Sequence, residues 1–280
     1  MIINDVYAVY FSPTGSTEKV CLTLAETIAE RLGAKVHTDD FTLPAARTEK
    51  RVYKPADLVV FAVPTYAGRI PNKILPFIRE LFAVEGVAPV PAIAAVTFGN
   101  RSFDSSLAEL RDELKSLGFA PLAGAAAACC HAFADIGTGR PDEEDIAAIT
   151  SLASEAADFL RSVEKPADIS DFTVEGRDTV EPYYKPLRED GQPAMFLKAK
   201  PLTSPDLCDK CGSCARVCPM GSISAEDPSD VPGICIKCQA CVVKCPKKAK
   251  YFDDADFLSH KKYLETHYKR PAKTEIFKTF

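Results

Sequence analysis

Apolar and polar positions alternate between two rhythms over residues 1–160. Residues 6–11, Val-Tyr-Ala-Val-Tyr-Phe, are a short β-prone run. Residues 18–32 then carry Val20, Leu24, Ile28 and Leu32 at helical spacing, with Gly33 placed as a C-cap. Residues 35–39 read as a short strand. Residues 58–63 and 92–97 are continuous apolar runs, the pattern of parallel strands buried on both faces. Residues 105–117 read as a helix ending at Gly118, and residues 119–130 as a fifth strand. Pro141 precedes a long amphipathic helix over 142–163, with Ile146, Ile149, Leu152, Ala156 and Leu160 along one face. Strand and helix alternating in this way predict an α/β doubly wound sheet of five parallel strands, with right-handed crossovers.

The rhythm stops near residue 164. Residues 165–200 are rich in proline and charge and read as a linker that packs on one of its neighbours. Residues 201–280 form a second, small α+β domain. Its residues 256–268 suit a terminal helix, and its last dozen residues read as a tail. The domain boundaries expected are therefore 1–164, 165–200 and 201–280.

Charge sharpens the division. The net charge is −5, yet residues 200–280 hold 14 Lys and Arg against 10 Asp and Glu. The basic excess sits with the cysteines: eight of the eleven fall within residues 201–252. Two oxidised [4Fe–4S] centres, each about −2 with four thiolates, would offset it. A nucleic-acid-binding tail explains the cysteines less well, so no nucleic acid partner is expected. No run approaches the roughly 18 apolar residues of a membrane span. Residues 1–10 lack the basic start of a secretory signal, so a cytoplasmic location with reduced thiols is expected.

The cysteine spacing is the strongest chemical signal. Cys208-x₂-Cys211-x₂-Cys214-x₃-Cys218-Pro219 recurs as Cys235-x₂-Cys238-x₂-Cys241-x₃-Cys245-Pro246. This is the two-cluster bacterial ferredoxin spacing, in which the fourth cysteine of each run ligates the other cluster. Cys208, Cys211, Cys214 and Cys245 are thus assigned to one cluster, and Cys218, Cys235, Cys238 and Cys241 to the other. A zinc ribbon has no use for the third cysteine of each run. A disulfide framework conflicts with a cytoplasmic chain. Gly212, Ser213, Ala215, Gln239 and Ala240 are small or uncharged residues that let backbone N–H groups approach cluster sulfur.

Three loops stand at the ends of the first, third and fourth strands of the predicted sheet. The first, Ser12-Pro13-Thr14-Gly15-Ser16-Thr17, is a hydroxyl-rich turn at a helix N-terminus, which suits an anion. It has no lysine and is not a nucleoside-triphosphate loop. The others are Pro64-Thr65-Tyr66-Ala67-Gly68-Arg69 and Phe98-Gly99-Asn100-Arg101-Ser102-Phe103-Asp104. In doubly wound sheets, ligands bind at such strand ends beside the point where strand order reverses.

With these loops the N-terminal part resembles flavodoxins, and with the cysteine runs the chain resembles the flavodoxin–ferredoxin fusion proteins of anaerobic microbes. The resemblance covers nearly the whole chain and implies strand order 2-1-3-4-5 and an FMN cofactor. It implies that Ser12, Thr14, Gly15, Ser16 and Thr17 hold the FMN phosphate. It further implies that Pro64, Thr65, Tyr66, Ala67 and Gly68 line one side of the ring, and Phe98, Gly99, Asn100, Arg101 and Phe103 the other. The chain has no Trp, so either Tyr66 or Phe103 is left to stack on the flavin.

His131 is a weaker candidate, a proton donor at the end of the fifth strand. Cys129 and Cys130 read as strand-end packing and Cys21 as a small apolar residue within a helix. Arg69 and Arg101 are candidates either to stabilise a reduced flavin or to form surface salt bridges. No nicotinamide fingerprint is present. Electron transfer with ferredoxin-like partners is the function expected. The alternatives are an FMN-dependent oxidoreductase acting on a small molecule and an iron–sulfur redox sensor. The linker must bring the two halves together, or a homodimer must close the path through a second copy.

Overall fold

The structure, a computed structural model, describes residues 1–280. Its first half is built from β1 (Asp5–Tyr10), α1 (Ser16–Leu32), β2 (Lys35–Asp40), β3 (Arg51–Tyr53), β4 (Asp57–Pro64), α2 (Leu75–Leu81), β5 (Phe82–Val84), β6 (Val90–Phe98), α3 (Ser106–Ser116), β7 (Phe119–Ala128) and α4 (Glu143–Ser162). The central sheet runs β2-β1-β4-β6-β7, all parallel. With its five strands renumbered in turn this is the order 2-1-3-4-5. β3 and β5 pair separately as a short parallel ribbon that the apolar pattern did not reveal.

Alternation along each strand divides the core. On β4, Val59, Phe61 and Val63 face α2 and α3, whereas Leu58, Val60 and Ala62 face α1 and α4. Phe11, Phe41, Phe61 and Phe82 fill the first side edge to face. Each such buried ring stabilises the fold by roughly 1.5–3 kcal/mol. The second side is lean: Ala123, Ala125 and Ala127 of β7 meet Ala153, Ala156 and Ala157 of α4. Cys21 of α1 is fully buried there, as its position within a helix suggested. α4 opens on a capping box between Asp142 and Asp145.

The linker packs along the first domain and then crosses to the second. Phe172 and Val174 enter the larger core, and the Glu181 and Tyr184 amides donate to Ser105 Oγ at 3.0 Å and Ala67 O at 2.8 Å. Farther on, the Met195 amide donates to Asp256 Oδ2 at 2.6 Å.

The second half holds β8 (Leu202–Thr203), α5 (Ser213–Arg216), α6 (Ala240–Val243), β9 (Lys250–Tyr251), α7 (Ala255–His267) and β10 (Glu275–Lys278). β8 and β9 pair antiparallel, so the two ends of the cysteine-rich segment meet. The last dozen residues are not a free tail. β10 returns to the first domain and adds a sixth, antiparallel strand beside β7, Phe277 opposite Gly124. That covers an open sheet edge. The cysteine-rich segment is thereby tied to the first domain from both sides. No helix is long and apolar enough to cross a membrane.

Candidate functional site

A cavity of about 230 Å³ opens at the carboxyl ends of β1, β4 and β6, beside the reversal in strand order. Its first wall is the turn entering α1, where Thr14, Ser16 and Thr17 face it. The Ser16 and Thr17 amides meet no acceptor in the protein, so the helix start presents N–H groups for an anion. Ser12 and Gly15 do not line the cavity. Ser12 Oγ instead accepts the Glu18 amide at 2.9 Å and so caps the helix. Gly15 is the N-cap itself.

Pro64, Thr65, Tyr66 and Ala67 form the second wall. Tyr66 and Arg69 close a tight turn through two backbone hydrogen bonds, at 2.9 and 3.2 Å, with positive φ at Ala67 and Gly68. Gly68 lies behind the wall: a Cβ there would stand 2.3 Å from an Asp104 carboxylate oxygen. Arg69 is engaged elsewhere, with Glu109 at 2.5 Å and the Glu181 carbonyl at 2.7 Å.

Phe98, Gly99 and Arg101 supply the third wall. Gly99 permits the close approach of His131, whose Cα a Cβ would meet at 2.7 Å. Asn100 and Phe103, expected here, turn away. Asn100 is buried against the C-terminal segment: it donates to Tyr268 O and Arg270 O and accepts from the Ala272 amide. Phe103 belongs to the core between Phe98 and Phe277. Of the two aromatic candidates, only Tyr66 reaches the cavity.

The remaining lining comes from segments far apart in sequence. Cys129, Cys130, His131 and Phe133 follow β7, Tyr184, Pro186 and Phe196 come from the linker, and His260 and Leu264 from α7. His131 Nδ1 accepts from the Phe133 and Ala134 amides at 3.3 and 3.1 Å. Burial, then His260 and Arg101, push the imidazole down to about 3, so it is neutral with its proton on Nε2. His260 Nδ1 donates to Leu187 O at 2.9 Å, given its tautomer. Arg101 pairs with Asp104 and lies 4.0 Å over the Tyr184 ring. The Tyr184 hydroxyl is buried without a partner, and burial pushes it up to about 12.

Ile236, Lys237 and Cys238 complete the cavity from the cysteine-rich segment. Directly behind them lies a smaller apolar cavity lined by Cys218, Cys235, Cys238 and Cys241. Ile236 and Cys238 border both spaces. Burial, then the Cys238 and Cys235 sulfurs, raise the Tyr66 hydroxyl well above its usual range. Tyr66 itself lines only the larger cavity.

The loops around these sulfurs have the form a cubane needs. Backbone amides of Ser222, Lys237 and Ala249 donate to Cys218, Cys235 and Cys245 Sγ at 3.3, 3.4 and 3.3 Å. Lys210 and Gly212 in the first run, and Lys237 and Gln239 at matching places in the second, all take positive φ. Left-handed lysine and glutamine cost energy and persist where a loop must wrap something. No three metal-ligating side chains converge at single-ion distance, and four of the sulfurs border the smaller cavity. Burial holds the free Cys238 and Cys241 thiols up to about 12, and metal must displace those protons. In the other set, Cys214 is buried and Cys211 exposed.

Known proteins match at both ends of the chain. A family model described as a 4Fe-4S binding domain matches residues 201–224, and a second of the same description matches residues 232–251. Each match contains one complete cysteine run. The chain thus joins a doubly wound domain with strand order 2-1-3-4-5 to a segment that matches 4Fe-4S binding domains twice. Solved structures similar to the flavodoxin-fold part include a flavodoxin of Streptococcus pneumonia TIGR4, 18% identical, TM-score 0.40, covering 55% of this chain and 99% of that one. Flavodoxin 1 of Bacillus cereus is 16% identical at TM-score 0.41, over 57% of this chain and 100% of its own. An NADH:FMN oxidoreductase, in its apo form, is 15% identical at TM-score 0.41, over 60% of this chain and 95% of its own. No curated protein matches the sequence. The fold assignment rests on the strand order itself.

Proposed function

We propose that this chain transfers electrons between an FMN in the larger cavity and two [4Fe–4S] clusters held by its eight paired-run cysteines. The observation that carries the reading is Cys238, which borders both the larger cavity and the four-cysteine cavity. Bound there, FMN would accept electrons in pairs and release them singly, and each cluster would carry one. Thr14, Ser16, Thr17 and the α1 amides would hold the phosphate. Tyr66 would flank the ring on the side facing the cysteines. The unpartnered Tyr184 hydroxyl, with its amide anchored on Ala67, would donate to the ring's polar edge.

Cys218, Cys235, Cys238 and Cys241 would hold the inner cluster. Cys208, Cys211, Cys214 and Cys245 would hold the outer one, whose exposed Cys211 faces solvent. Redox proteins such as ferredoxins would exchange electrons at that outer face. Residues of the linker and α7 line the same cavity, and the path from flavin to clusters would run within one chain.

Anaerobic purification with iron and flavin analysis tests this. About eight irons and one FMN per chain are expected, with reduction by ferredoxin. Four or fewer irons in fully loaded protein would refute the two-cluster reading, and rapid reduction by NADH would refute ferredoxin as the donor class. Neutral His131 and His260, both lining the cavity, favour a second reading: reduction of a small molecule at the flavin. Steady turnover of an organic acceptor, lost in His131→Ala, would establish it.

A further inference from the structure

Arg47 lies in the loop after β2 and is only 8% exposed. Its Nη2 donates to two carbonyls, Thr42 O of its own domain at 2.7 Å and Pro219 O of the cysteine-rich segment. Its guanidinium lies 4.8 Å from the Phe77 ring centre and 6.0 Å from that of Phe11. Its Nε is buried with no acceptor. No carboxylate forms an ion pair with it, unlike the comparably buried Arg111, which pairs with Asp112 and Asp178. A buried cation without a counter-charge is costly, and proteins rarely retain one unpaired.

The anionic groups that Arg47 senses are Asp40, an exposed carboxylate at the end of β2, and the Cys218 sulfur. Pro219 and Cys218 both line the inner four-cysteine cavity. Cys218 is the cysteine that one run lends to the other's cluster. Beyond the exposed Asp40 carboxylate, a cluster with four thiolates in that cavity would supply a counter-charge of about −2.

We propose that Arg47 is a positioning residue for the inner cluster, reaching from the flavodoxin-fold domain to set that cluster's reduction potential above the outer cluster's. This rests on the two-cluster reading. Reduction adds one electron to the cluster, with no bond broken and no proton taken up, so the centre becomes more negative by one charge. A fixed buried cation beside it favours that product, and low-dielectric surroundings leave the attraction poorly screened. The outer set has no equivalent. Its nearby Arg216 is exposed and donates to Cys211 O at 2.9 Å, where water and salt screen it. Lys250 is buried but is sensed by both Cys214 and Cys241, one from each set, so it does not separate them. Lys237 neighbours Cys235 in the inner set and donates to the Leu197 and Cys235 carbonyls. It adds to the same asymmetry.

The test is an anaerobic redox titration of the full holoprotein, followed by electron paramagnetic resonance, with iron counted on each sample. Cys211→Ser, altering an exposed ligand of the outer set, identifies the outer wave. Arg47→Met should lower the inner cluster's reduction equilibrium at least about tenfold, about 59 mV for one electron, and move the outer wave by less than half as much. Arg47→Lys should keep most of the wild-type value. Arg47→Gln, which retains an N–H donor for the two carbonyls, must show the same selective fall and serves if the methionine variant assembles poorly. Equal shifts of both waves, or none, at full iron content would overturn the assignment of Arg47. Fewer irons than two clusters require in the wild-type protein would overturn the two-cluster reading instead.

Discussion

Replacing Asn100 by alanine separates two roles for one residue, flavin contact and C-terminal clasp. Asn100 sits at φ +61° with only 3% of its surface exposed. Its amide donates to Tyr268 O at 2.7 Å and Arg270 O at 3.2 Å, and its carbonyl accepts the Ala272 amide at 2.9 Å. Each bond contributes about 1 kcal/mol net. Alanine also loses asparagine's tolerance of left-handed backbone, about 1 kcal/mol more. The C-terminal segment should therefore open more easily by about 3–4 kcal/mol, a few-hundredfold at 1.4 kcal/mol per decade. Hydrogen exchange of the Ile276 and Phe277 amides reads this directly, because β10 follows the clasp. Asn100→Gly removes the same bonds without the backbone strain, so the difference between the variants isolates the strain. FMN affinity should change less than about tenfold. Unchanged β10 exchange, with FMN affinity falling a hundredfold or more, would refute the reasoning and return Asn100 to the flavin site.

Tyr184→Phe should act with opposite signs on the two forms of the protein. Removing a buried unpartnered hydroxyl should stabilise the apoprotein by about 1 kcal/mol, while the FMN Kd rises up to about tenfold; calorimetry of both forms checks this. His131 gives a pH signature. Its native value near 3 lies below the ordinary 6.5, so the unfolded chain binds the extra proton. Its contribution to stability is full above pH 6.5 and declines as pH falls toward 3, by about 1.4 kcal/mol per unit. Urea midpoints of the anaerobic holoprotein from pH 6.5 to 5 should fall more steeply in wild type than in His131→Gln, and parallel slopes would count against a neutral buried imidazole.

The parts of this architecture that were legible in the sequence are those encoded by local repetition. The cysteine runs carry their chemistry in their spacing. The three inner strands β4, β6 and β7 show themselves because burial on both faces leaves continuous apolar runs such as residues 58–63. Placement of the three loops at strand ends follows from the sheet. Which side chains of a loop face inward does not, since loops have no period to betray orientation. Phe103 and Asn100 were thus read as cavity residues, though one joins the core and the other holds the C-terminus. For Arg69 the sequence leaves flavin contact and salt bridging open, because its partner Glu109 sits on a different element, α3. Four residues, Glu-Ile-Phe-Lys, make β10 too short to announce a strand. Tyr184 and His260 reach the cavity only because the linker and α7 pack against it, a long-range effect that no local pattern carries.

The proposed exchange of electrons between flavin and clusters runs inside one chain, through the wall formed by Ile236 and Cys238. Photoreducing the flavin of the anaerobic holoprotein and following cluster bleaching over a range of protein concentrations tests it most directly. The account predicts first-order bleaching whose rate does not change on dilution. A rate that falls in proportion to protein concentration, or a flavin that stays reduced beside oxidised clusters of higher potential, would contradict it.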